Sequence, residues 1–174
     1  MKNQLRKVHG TLRKIGLTLA TAESCTGGWV AKLFTDLSGA SDYFQGGAVV
    51  YSNKAKRKIL GVPTGDRQSA VTRNMALELA RRAQRRFGTD LVVSTTGYME
   101  PGSWLTPSLR KKRITGICYV AVVRHYAASS RANTARVRKI FLHGTRHQNR
   151  LSASFAVVSM VAEELKLTRK ETST

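Results

Sequence analysis

The chain has 174 residues, 41% of them apolar, which is enough for one domain with a proper core. No apolar run approaches the roughly 18 residues that cross a bilayer. The basic start, Met1 to Lys7, is not followed by an apolar signal core, so the expectation is a cytoplasmic protein with no membrane partner. Lys and Arg number 30 against 10 Asp and Glu, a net charge of +20, which attracts phosphates and nucleic acid and says nothing about fold. The surplus is spread over Arg81-Arg82, Arg85-Arg86, Arg110 to Arg113 and Arg136 to Lys139, without interleaved aromatic residues. That predicts weak, salt-sensitive nucleic-acid binding rather than a reader of sequence.

In chain order, Leu5, Val8, Leu12 and Ile15 recur at helical spacing and predict a helix over Lys2 to Lys14, ended by Gly16. Leu17 to Thr21 reads as a strand. Thr21-Ala22-Glu23-Ser24-Cys25-Thr26-Gly27-Gly28 then leads into a helix over Trp29 to Leu37. A second strand runs from Phe44 to Tyr51, with Ala48-Val49-Val50 apolar enough to be buried on both faces. Asn53 reads as the cap of a helix over Lys54 to Leu60. Ser69 to Thr72 leads into the strongest helical pattern, Arg73 to Phe87, with Glu78 and Arg82 as an i,i+4 pair. A third strand covers Asp90 to Thr95, and a long loop Gly97 to Arg113. A fourth strand covers Gly116 to Val123, and Tyr126 to Thr134 is a surface connection. Val137 to Leu142 is a fifth strand, and Arg146 to Leu165 a final helix. This alternation predicts a three-layer αβα sandwich around a five-stranded, mostly parallel mixed sheet with one antiparallel member. Residues 1–166 form the domain and 167–174 a flexible tail.

In such sheets ligands bind beyond the carboxyl ends of the strands. The first end delivers Ser24 and Cys25, the second Tyr51 to Lys54, the third Thr95-Thr96-Gly97. Two glycines let backbone approach a ligand, and the helix after Thr26 offers amides to an anion or a developing oxyanion. Tyr51 and Lys54 are three apart. In a helical turn they point the same way and make a general-base pair for a serine. Cys25 is a rival nucleophile, because a helix amino terminus lowers a thiol's pKa. Each residue also has a bland reading: Ser24 as a cap, Tyr51 as a strand end, Lys54 as one more solvated cation. Cys25 and Cys118 do not suggest a disulfide scaffold. His143 and His147 are four apart, but Gly144 and Thr145 between them argue for a turn, so no metal is expected.

Taken together, residues 21–28, then Phe44-Gln45-Gly46-Gly47-Ala48-Val49-Val50-Tyr51-Ser52-Asn53-Lys54-Ala55-Lys56 and Leu60-Gly61-Val62, resemble the nicotinamide-nucleotide amidohydrolases, also found as the carboxy-terminal domain of competence/damage-inducible CinA proteins. Ser69 to Thr72, Thr96-Gly97 and Gly144-x-Arg146-x-x-x-Arg150 extend the likeness, which runs from about Leu5 to Leu165. The resemblance implies hydrolysis of the carboxamide of nicotinamide mononucleotide to nicotinate mononucleotide and ammonia, a step of pyridine nucleotide salvage. It implies Ser24 as nucleophile, activated by Tyr51 and Lys54. Thr26, Gly27, Gly28, Gly46, Gly47, Thr96, Gly97 and Arg150 then become substrate-binding candidates, with Arg150 suited to a phosphate. It implies no cofactor and makes a homodimer the expected assembly. One stretch departs from the family pattern: Tyr98-Met99-Glu100-Pro101-Gly102-Ser103-Trp104 stands where glycines are usual, and Glu100 brings negative charge toward a dianionic ligand. Two alternatives therefore stand beside the amidase: a nucleotide- or nucleic-acid-binding relative without turnover, and an amidase with a shifted substrate.

Overall fold

The computed structural model describes residues 2–65, 70–126 and 133–171. Its elements run α1 (Lys2–Ile15), β1 (Leu19–Glu23), α2 (Trp29–Thr35), β2 (Phe44–Val49), α3 (Asn53–Leu60), α4 (Arg73–Phe87), β3 (Leu91–Tyr98), α5 (Pro107–Lys111), β4 (Gly116–Arg124), β5 (Thr134–Leu142) and α6 (Arg146–Glu171). The sheet order is β2-β1-β3-β4-β5. β1 pairs in parallel with both neighbours, and β4 runs antiparallel to β3 and β5. This is the expected mixed sheet with β4 as its one reversed strand. Among the described residues no helix is long and apolar enough to cross a membrane.

Two apolar layers sandwich the sheet. On one face Leu5 and Leu12 of α1, Phe34 of α2 and Val157 and Val161 of α6 pack on Leu19, Val93, Val120 and Val122. On the other, Ala76, Leu79, Ala80 and Ala83 of α4 lie on Ala20, Ala22, Val92 and Ala121. Alanines facing alanines bring α4 close to the sheet, and β1, covered on both faces, is buried at every position. Its carboxyl end is thereby fixed from both sides, and the turn that carries Ser24 leaves from there.

β2 departs from expectation. It is an edge strand whose positions alternate between half-buried and exposed, and Val49 is 49% exposed although Val50 beyond it is fully buried. Ser52, not Asn53, caps α3: its backbone is extended and its hydroxyl accepts from the Ala55 amide at 3.1 Å. β3 continues to Tyr98 because Tyr98 still pairs with Ile117. The expected loop also contains α5, entered through Pro107 at its first turn. β5 starts three residues early at Thr134, and α6 continues past Leu165. The Glu78–Arg82 pair forms at 3.3 Å. Ser69 and most of the 126–134 connection lie outside the described residues, as do residues 172–174.

One close contact locks β3 to β4. A Cβ on Gly97 would stand 2.3 Å from the Ile117 carbonyl oxygen and 2.8 Å from the Cys118 Cα, backbone atoms that cannot swing aside. Gly97→Ala is expected to cost about 1–3 kcal/mol of stability, measured as a lower urea midpoint at an unchanged m-value. An unshifted midpoint contradicts the contact.

Candidate active site

A cavity of about 500 Å³ opens at the carboxyl ends of β1 and β3, and Ser24, Tyr51, Lys56, Thr96, Glu100 and Arg146 are among its lining residues. Ser24 is the first residue past β1. Its amide donates to the Thr95 carbonyl at 3.0 Å, so sheet pairing extends one residue beyond the strand and holds the serine backbone. Its side chain is 7% exposed.

The turn after Ser24 folds around the residue before it. The Glu23 side chain, 1% exposed, accepts from the Gly28 amide (2.8 Å), the Val30 amide (3.1 Å), the Ala31 amide (2.8 Å) and the Thr26 hydroxyl (2.7 Å). Those amides are the unsatisfied donors at the start of α2, and a carboxylate there also meets the positive end of the helix. The expectation that this helix end receives an oxyanion is therefore corrected: the protein's own carboxylate occupies it. The Gly27 and Trp29 amides donate to the Ser24 and Thr26 carbonyls.

The lysine that reaches Ser24 is Lys56. Its ammonium lies 3.3 Å from Ser24 Oγ and 3.2 Å from the Tyr51 carbonyl oxygen, and the residue is 1% exposed. Burial lowers its pKa from the ordinary lysine value, opposed in part by the charge of Cys25. Lys54 lies exposed on the outer side of α3 and does not line the cavity. The i,i+3 argument for Tyr51 and Lys54 assumed a helix through both, whereas α3 starts only after extended Ser52. The signal for Lys56 is its place four residues before Leu60. Both lie on the buried side of α3.

Tyr51 contributes twice. Its carbonyl holds Lys56, and its hydroxyl accepts from Arg146 Nη2 at 2.5 Å. Arg146, in the first turn of α6, also donates to Glu100 Oε1 at 2.6 Å. The Tyr51 bond, more than the Glu100 charge, holds the Arg146 pKa above its usual value. Sequence reasoning noted Arg146 in a motif and Glu100 as a departure, but not that they meet.

The remaining candidates divide. Thr96 and Gly97 line the cavity, with the Thr96 hydroxyl donating to the Ala70 carbonyl. Thr26, Gly27, Gly28, Gly46, Gly47 and Arg150 lie elsewhere. Thr26 is fully buried and bonds Glu23 and Thr95. Gly46 and Gly47 sit where a side chain would meet Phe87 and Thr21. Arg150 donates to the Thr26 carbonyl at 2.9 Å, with its guanidinium 5.6 Å from the Trp29 ring centre. It grips the turn that follows Ser24. The Cys25 Sγ turns to Cys118, 3.7 Å away. That contact, then burial, pushes the Cys118 thiol well up. His143 sits against the Arg113 carbonyl and His147 edge-on to Trp29. Among the described residues no group of three or more His, Cys, Asp or Glu is placed to hold a metal.

The comparisons agree with this architecture. The family described as the CinA C-terminal domain matches residues 2–165. A CinA-like protein of Geotalea daltonii is 40% identical over 162 residues, covering 91% of this chain and 36% of the relative. One of Chlorobium phaeovibrioides is 40% identical over 151 residues, with coverage of 86% and 34%. The chain thus spans about a third of the length of these relatives. Among solved structures, a competence/damage inducible protein of Agrobacterium tumefaciens superposes with a TM-score of 0.78 at 27% identity, covering 95% of this chain and 94% of that one. A competence damage-inducible protein of Klebsiella pneumoniae gives 0.81 at 23% identity, covering 95% and 96%, a likeness of fold.

Removing the Glu23 carboxylate leaves the buried Val30 amide and the partly buried Gly28 and Ala31 amides without this acceptor, and leaves the Thr26 hydroxyl with Thr95 alone. Glu23→Ala is expected to lose on the order of 2–4 kcal/mol, measured by chemical denaturation. A loss below about 0.5 kcal/mol, the size of an ordinary surface substitution, contradicts the role given to it.

Proposed function

The chain belongs to the CinA C-terminal domain family, and we propose that it hydrolyses the carboxamide of nicotinamide mononucleotide to nicotinate mononucleotide and ammonia, with Ser24 as nucleophile and Lys56 as its base. The observation that carries this reading is the buried Lys56 ammonium 3.3 Å from Ser24 Oγ in a cavity of about 500 Å³. A serine hydroxyl is a weak nucleophile until a base within hydrogen-bond reach takes its proton. Burial lowers the pKa of Lys56, which favours the neutral amine that can be that base. The turning of Cys25 toward Cys118 favours the serine over the thiol.

In the proposed sequence, neutral Lys56 accepts the Ser24 proton as Oγ bonds to the carboxamide carbon. Cys25, which lines the cavity, offers its backbone amide to the developing oxyanion. Lys56 returns the proton to the leaving nitrogen, the C–N bond breaks, and ammonia departs from an ester on Ser24. Water, deprotonated by Lys56, then attacks the ester carbon, releasing the carboxylate and restoring the serine. Tyr51 keeps Lys56 aimed through its carbonyl. At the mouth, Arg146 supplies the cation that suits a nucleotide phosphate.

Ser24→Ala is expected to lower ammonia release from nicotinamide mononucleotide by at least about a thousandfold. Unchanged release would refute the mechanism. The unprotonated form of Lys56 is active, so kcat/KM rises with pH and levels off at a pKa below the usual lysine value of 10.5; Lys56→Met removes that limb. The unfolded chain holds more protons than the native one between the lowered pKa and the ordinary one. Native stability therefore rises with pH across that window, and the burdened state is the protonated one below it. Lys56→Met is accordingly expected to raise the melting temperature at neutral pH while abolishing activity. A lower melting temperature together with a retained pH limb would count against both.

A further inference from the structure

The mouth of the cavity contains an ion pair that faces any ligand. Arg146 and Glu100 meet at 2.6 Å with side chains 44% and 58% exposed, and both line the cavity. Glu100 is held in position. Its carbonyl accepts from Trp104 Nε1 at 3.0 Å, and Trp104 stacks on Tyr98 with ring centres 5.5 Å apart and planes 4° from parallel. The carboxylate therefore stands on a segment pinned to the end of β3. The cations among the described lining residues are Lys56, committed to Ser24 and the Tyr51 carbonyl, and Arg146. Arg150, the expected phosphate ligand, is committed to the nucleophile turn.

We propose that Glu100 sets substrate specificity by acting as an internal competitor for Arg146, so that the site gives up much of its preference for a phosphorylated amide and accepts the unphosphorylated nucleoside comparatively well. This deepens the amidase reading and rests on it. A phosphate reaching Arg146 must displace or share its place with a carboxylate of the same sign. A ribose hydroxyl leaves the pair intact. An exposed pair is weak enough to be displaced, yet a like charge a few ångströms away in a water-filled mouth still changes affinity by about five- to tenfold.

The test is the ratio of KM for nicotinamide riboside to KM for nicotinamide mononucleotide, in the native protein and in Glu100→Gln. The substitution keeps the shape of the side chain and removes its charge. The ratio is expected to rise about five- to tenfold, and the rise to shrink at high salt. In an Arg146→Gln background only direct repulsion by Glu100 remains, so the rise on Glu100→Gln is expected to be smaller. A ratio unmoved by Glu100→Gln, or a rise just as large without Arg146, overturns the proposal. If neither compound yields ammonia, the amidase reading fails separately. Calorimetric titration of the same two compounds then measures the same ratio as dissociation constants, and no binding of either one overturns the proposal as well.

Discussion

The site depends on one buried side chain that takes no part in its chemistry. Glu23 ends β1, and its carboxylate gathers three amides at the start of α2 together with the Thr26 hydroxyl. Strand, turn and helix are thereby clipped together within a few residues. The carbonyl of Glu23 also accepts from the Val50 amide at 2.7 Å, so the same residue fixes the point where the chain leaves β2 toward Tyr51 and α3. Ser24, next to it, is positioned by these restraints and by the Thr95 carbonyl. A carboxylate in this position costs desolvation, which the convergence of charge-assisted bonds offsets.

Lys56 is the complementary strain. A buried ammonium is costly unless paired, and here it faces a hydroxyl and a carbonyl rather than a carboxylate. Glu23 is spent on α2. The lysine's hydrogen bonds go to neutral acceptors, and the charge of Cys25 only partly opposes the loss of its proton. The fold tolerates the arrangement because α3 is anchored independently, by its Ser52 cap and by Leu60 and Val62 in the α4 layer.

Much of the fold could be read from the sequence because its signals are local. Apolar stripes at helical spacing mark α1, α4 and α6, and short apolar runs mark the covered strands. Val49 misled because an apolar run does not reveal whether its strand lies at the sheet edge. The site was legible where it follows chain order: Ser24 sits at a strand-to-turn junction, and Thr96 and Gly97 at the end of β3. It was illegible where pairing Tyr51 with Lys54 needed a helix through both: extended Ser52 separates Tyr51 from α3, and Lys56 rather than Lys54 lies on the buried side. Glu23 and Arg150 escaped for a different reason. Each sits where an external anion or phosphate would be handled, and charge alone does not distinguish a residue that receives a ligand from one that satisfies its own backbone. The pairing of Glu100 with Arg146 joins residues 46 apart, beyond any local pattern.

Arg146 and Arg150 are four residues apart, one turn of α6. The first faces the mouth through Glu100 and Tyr51, and the second grips the carbonyls of Thr26 and Gly27 beside Ser24. About 6 Å of helix separates the two. One rigid segment thus sets both the cation at the entrance and the peptide groups that follow Ser24, so their spacing is fixed by helix geometry and not by a loop.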